Sequence, residues 1–307
     1  MAVILFGAAG DVGRAVVDQC QASGQPLTAV RINCADEKTG TISWRNCDMR
    51  DVRAVRQLVQ PGDTVIQTVA ARPFAAISEL PACLHGLMAG ILHRDVRLIC
   101  LDNFLPYGLT TTVFREGTQY MPHDKTALCR AELATDLARF ADTNGTEVTI
   151  LRAGEIYGRS LRGGLLPDSV WQTVLRGRAV AFPLPVNVPQ PLYPVEDVAR
   201  GLLLLAQGPT LPGFHVLHLP LSLPVSVAAL VRMAAQALSS RGRAGQLPDW
   251  IARAVRPLSA RWRCLQDGAA ALARPISVSS TEFEARLRFV PTSHESAIAL
   301  LVQHLQS

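Results

Sequence analysis

Residues 2–13 read AVILFGAAGDVG, an apolar run that gives way to glycines at 7, 10 and 13. Ala2–Phe6 has the composition of a buried strand, and Val12–Ala22 carries the periodicity of a helix. The glycines between them do different work. Gly7 permits a sharp turn, Gly10 lets backbone approach a pyrophosphate, and Gly13 lets the helix pack closely on the strand. The first turn of the helix then offers unpaired N–H groups to phosphate oxygens. In this strand–turn–helix context, Gly7, Ala9, Gly10, Asp11, Val12 and Gly13 are read as a dinucleotide-binding loop.

The alternation continues outward from the loop. Leu27–Ile32, Thr41–Trp44, Asp63–Val69, Val96–Leu101 and Glu147–Leu151 read as strands. Val52–Val59, Glu79–Leu92 and a stretch from Pro122 to about Asp142 read as helices. Such alternation predicts an α/β fold, a doubly wound parallel sheet covered on both faces. After Arg152 the texture changes, with RSLRGGLLP and FPLPVNVPQPLYP reading as loops. Val195–Gln207, Val225–Ser239 and Ser293–Leu305 return as helices, and Phe214–Leu219 as a strand. The expected division is a dinucleotide-binding domain over 1–160 and a smaller, mostly helical substrate-binding lobe over 161–307. Residues 190–220 are expected to contribute back to the first domain.

Composition narrows the partners. The chain has 307 residues, 49% of them hydrophobic, and a net charge of +5. Arginines concentrate between Arg232 and Arg263. Without a clustered patch interleaved with aromatics they read as a solvated face, so no nucleic-acid partner is expected. The seven cysteines (20, 34, 47, 83, 100, 129 and 264) never form Cys-x-x-Cys, and several, such as Cys100 in LICLD, read as small buried hydrophobes. That suits a reducing, cytoplasmic setting. No signal peptide and no membrane association are expected, because the start has no basic leader and no apolar run spans a bilayer. His215 and His218 have no cysteine or carboxylate at ligand spacing, so no metal is expected.

The second strand ends at AVRIN, where an acidic residue would meet a free ribose 2′-hydroxyl. Arg31 stands there instead and suits a 2′-phosphate, favouring NADP(H) over NAD(H). Asp36 competes as an acidic ribose partner. Asp48, after the third strand, is placed toward the adenine.

With these residues in hand, the chain resembles an extended, atypical short-chain dehydrogenase/reductase of the NAD-dependent epimerase/dehydratase family. The likeness rests on GAAGDVG (7–13), DNFLPYG (102–108), Lys125 with its CRAEL continuation, ILRAGEIYG (150–158), YPVEDVARGLLLL (193–205) and FVPTSHESAIALL (289–301). It implies a Rossmann-type domain, a nicotinamide cofactor and a small carbonyl or hydroxyl substrate. It also implies a tyrosine acid/base four residues before a lysine that holds the nicotinamide ribose. A serine or threonine would orient the substrate oxygen. A homodimer is compatible with this reading.

Carried over by position, the lysine is Lys125, the serine position is Asn103, and the tyrosine position is Met121. Asn103 can still hydrogen-bond a carbonyl, but Met121 can move no proton. Tyr120 is one step out of register. A helix starting at Pro122 would leave Tyr120 on the preceding loop, free to reach the site. Tyr107 and His123 are other candidate donors, each with a bland reading as a packing or exposed residue. Arg152 and Tyr157 fall in the cleft-lining segment, and Arg159 with Arg162 read either as ordinary exposed loop arginines or as a preference for an anionic substrate. Glu196 and Asp197 read as favourable charge at a helix start. The reading leans to an enzyme using Lys125, Asn103, Tyr107 and Tyr120. The alternative is a non-catalytic NAD(P)-binding sensor or regulatory protein.

Overall fold

Strand β1 (Val3–Phe6) is apolar on both faces, and that places it at the centre of a layered structure. Leu5 packs in a cluster with Val16, Leu202 and Leu217. Ile4 and Phe6 pack on the other side with Leu84, Leu98 and Leu137. The computed structural model describes residues 2–69, 79–109, 113–255, 257, 262 and 269–306. Arg263 and Cys264 lie outside them.

From β1 the chain runs through α1 (Asp11–Ser23), β2 (Leu27–Arg31), β3 (Glu37–Thr39), β4 (Ile42–Asn46), α2 (Val52–Leu58) and β5 (Thr64–Gln67). It continues through α3 (Glu79–Ile91), β6 (Arg97–Asp102), a 3₁₀ turn (Leu105–Tyr107), β7 (Val113–Phe114), α4 (Lys125–Asn144) and β8 (Val148–Arg152). The C-terminal half holds β9 (Glu155–Tyr157), α5 (Asp168–Leu175), β10 (Ala179–Phe182), β11 (Leu192–Pro194), α6 (Val195–Gln207), β12 (Phe214–His218), α7 (Val227–Ala237), β13 (Arg243–Gln246) and α8 (Asp249–Val255). The last long helix is His294–Gln306.

The central sheet has the order β12-β8-β6-β5-β1-β2-β4-β3. Its neighbours are parallel except for β3 against β4. The winding reverses at β1, which opens a crevice at the carboxyl ends of β1 and β5. Helices α1 and α6 supply side chains to the core on one face, and α2, α3 and α4 to the core on the other.

Two local expectations are corrected. The chain makes an antiparallel edge hairpin of β3 and β4 that strict strand–helix alternation did not foresee. Gly40, at φ 60°, supplies its turn. Helix α4 begins at Lys125 rather than Pro122, because the Asp124 carboxylate caps it by accepting from the Ala127 N–H at 2.7 Å. A third hydrophobic cluster gathers around Trp171, Phe182, Leu230 and Leu301 in the C-terminal half. Beside its helices this half holds the short strand pair of β10 with β13.

Candidate active site

The glycine loop is built so that side chains are excluded. Gly7 adopts φ +88°, and a Cβ there would lie 2.8 Å from the Thr68 hydroxyl and 2.9 Å from the Val69 nitrogen. A Cβ on Gly13 would lie 2.1 Å from the Gly7 carbonyl oxygen, which shows how closely α1 approaches the turn. The Gly10 N–H donates to that same carbonyl at 2.9 Å. The first N–H groups of α1 have no partner within the helix and open on the strand ends. A cradle this free of side chains, ending in a helix N-terminus, fits a dinucleotide pyrophosphate. Asp11 has a second engagement. Its carboxylate accepts from Arg14 at 2.9 Å and from the main-chain N–H groups of Arg162 and Gly163 at 3.1 and 3.2 Å. The loop after β9 is thereby tied to the glycine turn.

Three neighbouring strand ends carry a rank of polar side chains. Register pairs Asp102 of β6 with Arg152 of β8, and Arg152 with His218 of β12, so all three share one face. Arg152 has no solvent exposure. Its guanidinium donates to Asp102 Oδ2 at 2.9 Å, to the Asn103 carbonyl, and to the Tyr120 hydroxyl at 2.8 Å. Arg130, projecting from α4, donates to the other Asp102 oxygen. The Arg152 guanidinium carbon lies 5.1 Å from the ring centres of both Tyr107 and Tyr120. Such burial is tolerable because the charge is paired and hydrogen-bonded.

Tyr107 is fully buried, and its hydroxyl lies 2.6 Å from His218 Nε2. His218 Nδ1 lies 2.9 Å from the Ser279 carbonyl, which can only accept, so Nδ1 carries the proton and Nε2 accepts from Tyr107. Burial holds the His218 imidazole down to about 3 and pushes the Tyr107 phenol up. Tyr107 is thus a fixed neutral donor. Tyr157 makes the same kind of relay: it is buried, 2.7 Å from His294 Nδ1, and His294 Nε2 reaches the Leu223 carbonyl at 2.7 Å. Its hydroxyl is committed away from the crevice expected for it.

Tyr120 and Met121 precede α4. The Met121 N–H donates to the Pro106 carbonyl at 2.9 Å. Gly108 adopts φ +70°, and a Cβ there would fall 1.7 Å from the Met121 carbonyl oxygen. This close docking sets Tyr120 against Tyr107, with ring centres 5.6 Å apart. Met121 is 48% exposed. Lys125 is exposed at the first position of α4. The Asn103 side-chain oxygen accepts from the Leu105 N–H at 3.0 Å and starts the 3₁₀ turn, which leaves its NH₂ group to donate. His123 lies 3.3 Å from Asp124.

At the expected adenosine end, Arg31 lies 4.5 Å over the Trp44 ring and pairs with Glu37 at 2.5 Å. Asp36 accepts from the Asn46 N–H at 2.8 Å. Asp48 is held by Arg50 at 2.6 Å, and that hydrogen bond lowers its carboxyl below the usual range. Among the described residues no group of three or more His, Cys, Asp or Glu side chains is placed to hold a metal. No described helix is long and apolar enough to cross a membrane. The sequence did not point to Asp102, Arg130 and His218 as partners in this cluster, because the fold brings them together from β6, α4 and β12.

No protein-family model and no curated protein matches the chain. Solved structures do. MoeE5 in complex with UDP-glucuronic acid and NAD aligns with a TM-score of 0.78 at 21% identity, covering 100% of this chain and 99% of that one. A UDP-glucose 4-epimerase from Thermotoga maritima, with UDP-glucose, gives 0.79 at 18% identity over 100% and 99%. The dTDP-glucose 4,6-dehydratase DesIV from Streptomyces venezuelae, a double mutant with NAD and DAU bound, gives 0.78 at 16% over 100% and 97%. The chain therefore has the fold of the extended short-chain dehydrogenase/reductases, and its structural neighbours are enzymes of the NAD-dependent epimerase/dehydratase family.

Proposed function

We propose that the chain is an NAD(P)-dependent oxidoreductase or epimerase-like enzyme acting on a carbonyl or hydroxyl carbon of a small substrate. Nucleotide sugars are the class its structural neighbours suggest. The observation that carries this reading is the hydrogen bond from the buried Arg152 guanidinium to the Tyr120 hydroxyl, 2.8 Å.

The nicotinamide dinucleotide, when bound, supplies the hydride acceptor or donor. The chain supplies the rest. Gly7, Ala9, Gly10, Val12 and Gly13 would cradle the pyrophosphate, joined by the main chain of Asp11, whose carboxylate is engaged elsewhere. Lys125 would hold the nicotinamide ribose, and Asp48 would face the adenine. Arg31 would meet a 2′-phosphate, in competition with Glu37. Tyr120 stands in for the tyrosine replaced by Met121. Its phenolic oxygen takes a proton from a substrate hydroxyl, or returns one to a carbonyl oxygen. Arg152 donates to that oxygen and fixes its position, and Asp102 holds Arg152 in place. The Asn103 NH₂ would polarise the substrate oxygen, and Tyr107 would wall the pocket.

The test is turnover of nucleotide sugars with NAD or NADP by the wild type and by Tyr120→Phe. Loss of turnover with retained cofactor binding supports the reading. A non-catalytic sensor is the second reading, favoured by the exposed Met121 where a tyrosine would act. Cofactor binding without turnover on any substrate, unaltered by Tyr120→Phe, would establish it.

A further inference from the structure

The C-terminal lobe is depleted of acids. Between Asp168 and Asp249 the only carboxylates are Glu196 and Asp197. Both lie in the first turn of α6, where they pair with Arg159 and Arg200. The arginines of the same tract gather in one place. Arg176 and Arg178 lie in the turn from α5 into β10, and Arg241 and Arg243 lie at the entry to β13. The two turns touch. The Ser240 hydroxyl donates to the Val174 carbonyl at 2.7 Å, and a Cβ on Gly242 would sit 2.7 Å from that same oxygen. The strands then run side by side and parallel, with Ala179 opposite Arg243.

All four arginines are exposed, and none has a side-chain partner among the described residues. With a net charge of only +5 for the whole chain, this corner holds much of the excess. Beyond the far end of β13, α8 presents Trp250 at 72% exposure, with Arg253 exposed beside it. Trp250 is the only aromatic ring among the strongly exposed large apolar side chains of the described residues.

We propose that the corner formed by the turns into β10 and β13 docks on an anionic lipid bilayer. The guanidiniums meet headgroup phosphates, and the Trp250 indole enters the interfacial layer. A basic cluster draws a protein to anionic lipid through many weak attractions, and tryptophan prefers the boundary between headgroups and acyl chains. A nucleic-acid track would want several aromatics interleaved with the cations to stack bases, and one ring stands here. The attachment is peripheral and needs no spanning helix. It is independent of the proposed chemistry at the strand ends.

The test is co-sedimentation of the full chain with vesicles of phosphatidylcholine, with and without phosphatidylserine. Expected is about ten-fold greater partition onto the serine-containing vesicles, suppressed by raised salt. A blue shift in tryptophan emission should accompany it and be reduced in Trp250→Ala. The double variant Arg178→Glu with Arg243→Glu should lose the preference while keeping the wild-type melting temperature, since both side chains are exposed. Equal partition on the two vesicle types overturns the proposal, as does undiminished binding by a folded double variant. Binding to a single-stranded oligonucleotide with no binding to vesicles overturns it in favour of nucleic acid.

Discussion

The Arg152 guanidinium donates to the Tyr120 hydroxyl at 2.8 Å while Asp102 accepts from the same guanidinium at 2.9 Å. The guanidinium thereby fixes the Tyr120 hydroxyl at the strand ends. Burial raises the phenols of Tyr107, Tyr157 and Tyr193, which keeps those three as neutral groups. Turnover in Tyr120→Phe should fall on the order of a hundred- to ten-thousand-fold, the range for losing a general acid/base. Arg152→Lys keeps the charge but cannot bridge Asp102 and Tyr120 with one planar fork. Its turnover should fall with cofactor binding retained, and unchanged turnover would separate Arg152 from the chemistry.

The glycine turn was readable because its residue types follow from backbone geometry alone. Only glycine tolerates φ +88° at position 7 or a Cβ 2.1 Å from a carbonyl at position 13. The mostly parallel sheet with helices on both faces followed from the alternation of apolar runs. The polar rank of Asp102, Arg152 and His218 was not readable, since it depends on register between strands dozens of residues apart. His218 looked like an unremarkable strand histidine. Its partners, Tyr107 and the Ser279 carbonyl, are 111 and 61 residues away. The start of α4 was misplaced for a local reason: Pro122 and Asp124 are both good starting signals, and the carboxylate cap prevailed. The partner of Arg31 was hidden in a β3 strand of exposed residues, which carries no hydrophobic pattern to announce itself.

That pairing bears on the proposed cofactor preference. Arg31 and Glu37 are 34% and 52% exposed at their side chains, so solvent screens the ion pair and it can open. A ribose 2′-phosphate would have to displace Glu37 and would also feel its charge. Glu37→Gln should tighten NADPH binding about five-fold and leave NADH nearly unchanged. Calorimetry with both cofactors checks this. An equal change for the two would place Arg31 away from the 2′ position.

Gly108 holds the Tyr120 segment in place, and Gly24 offers a milder comparison. Both adopt positive φ, +70° and +69°, but Gly24 is left-handed helical at ψ 17° and a Cβ there meets nothing within 4 Å, whereas Gly108 lies at ψ −148°, where non-glycine residues are rarely found. Gly24→Ala should lose about 1 kcal/mol from backbone strain alone. Gly108→Ala adds an overlap with the Met121 carbonyl that no rotamer relieves, so about 2–4 kcal/mol should be lost. Urea unfolding of both variants gives the comparison. Equal losses would mean that the 106–108 turn and the Tyr120 segment are not rigidly docked.

His218 gives the fold a specific acid sensitivity. Its ordinary value is 6.5, and burial lowers it to about 3 in the folded chain, with the Ser279 carbonyl opposing and Arg152 assisting. The unfolded chain therefore takes up this proton first as pH falls. The stability contributed by neutral His218 is complete above about pH 6.5 and is lost progressively toward pH 3. At about pH 4.5 the loss should be on the order of 3 kcal/mol, from roughly 1.4 kcal/mol per pH unit. His218→Gln keeps a donor for Ser279 and an acceptor for Tyr107 but has no proton to gain. Its stability at neutral pH should be lower, because an amide replaces a fitted ring, while its slope between pH 6.5 and 4.5 should be shallower than that of the wild type. Carboxylates titrate in both proteins, so the difference between the two curves isolates the imidazole. Parallel curves would mean that His218 exchanges its proton with solvent without breaking the Tyr107 bond, and the neutral relay would then not be what anchors that tyrosine.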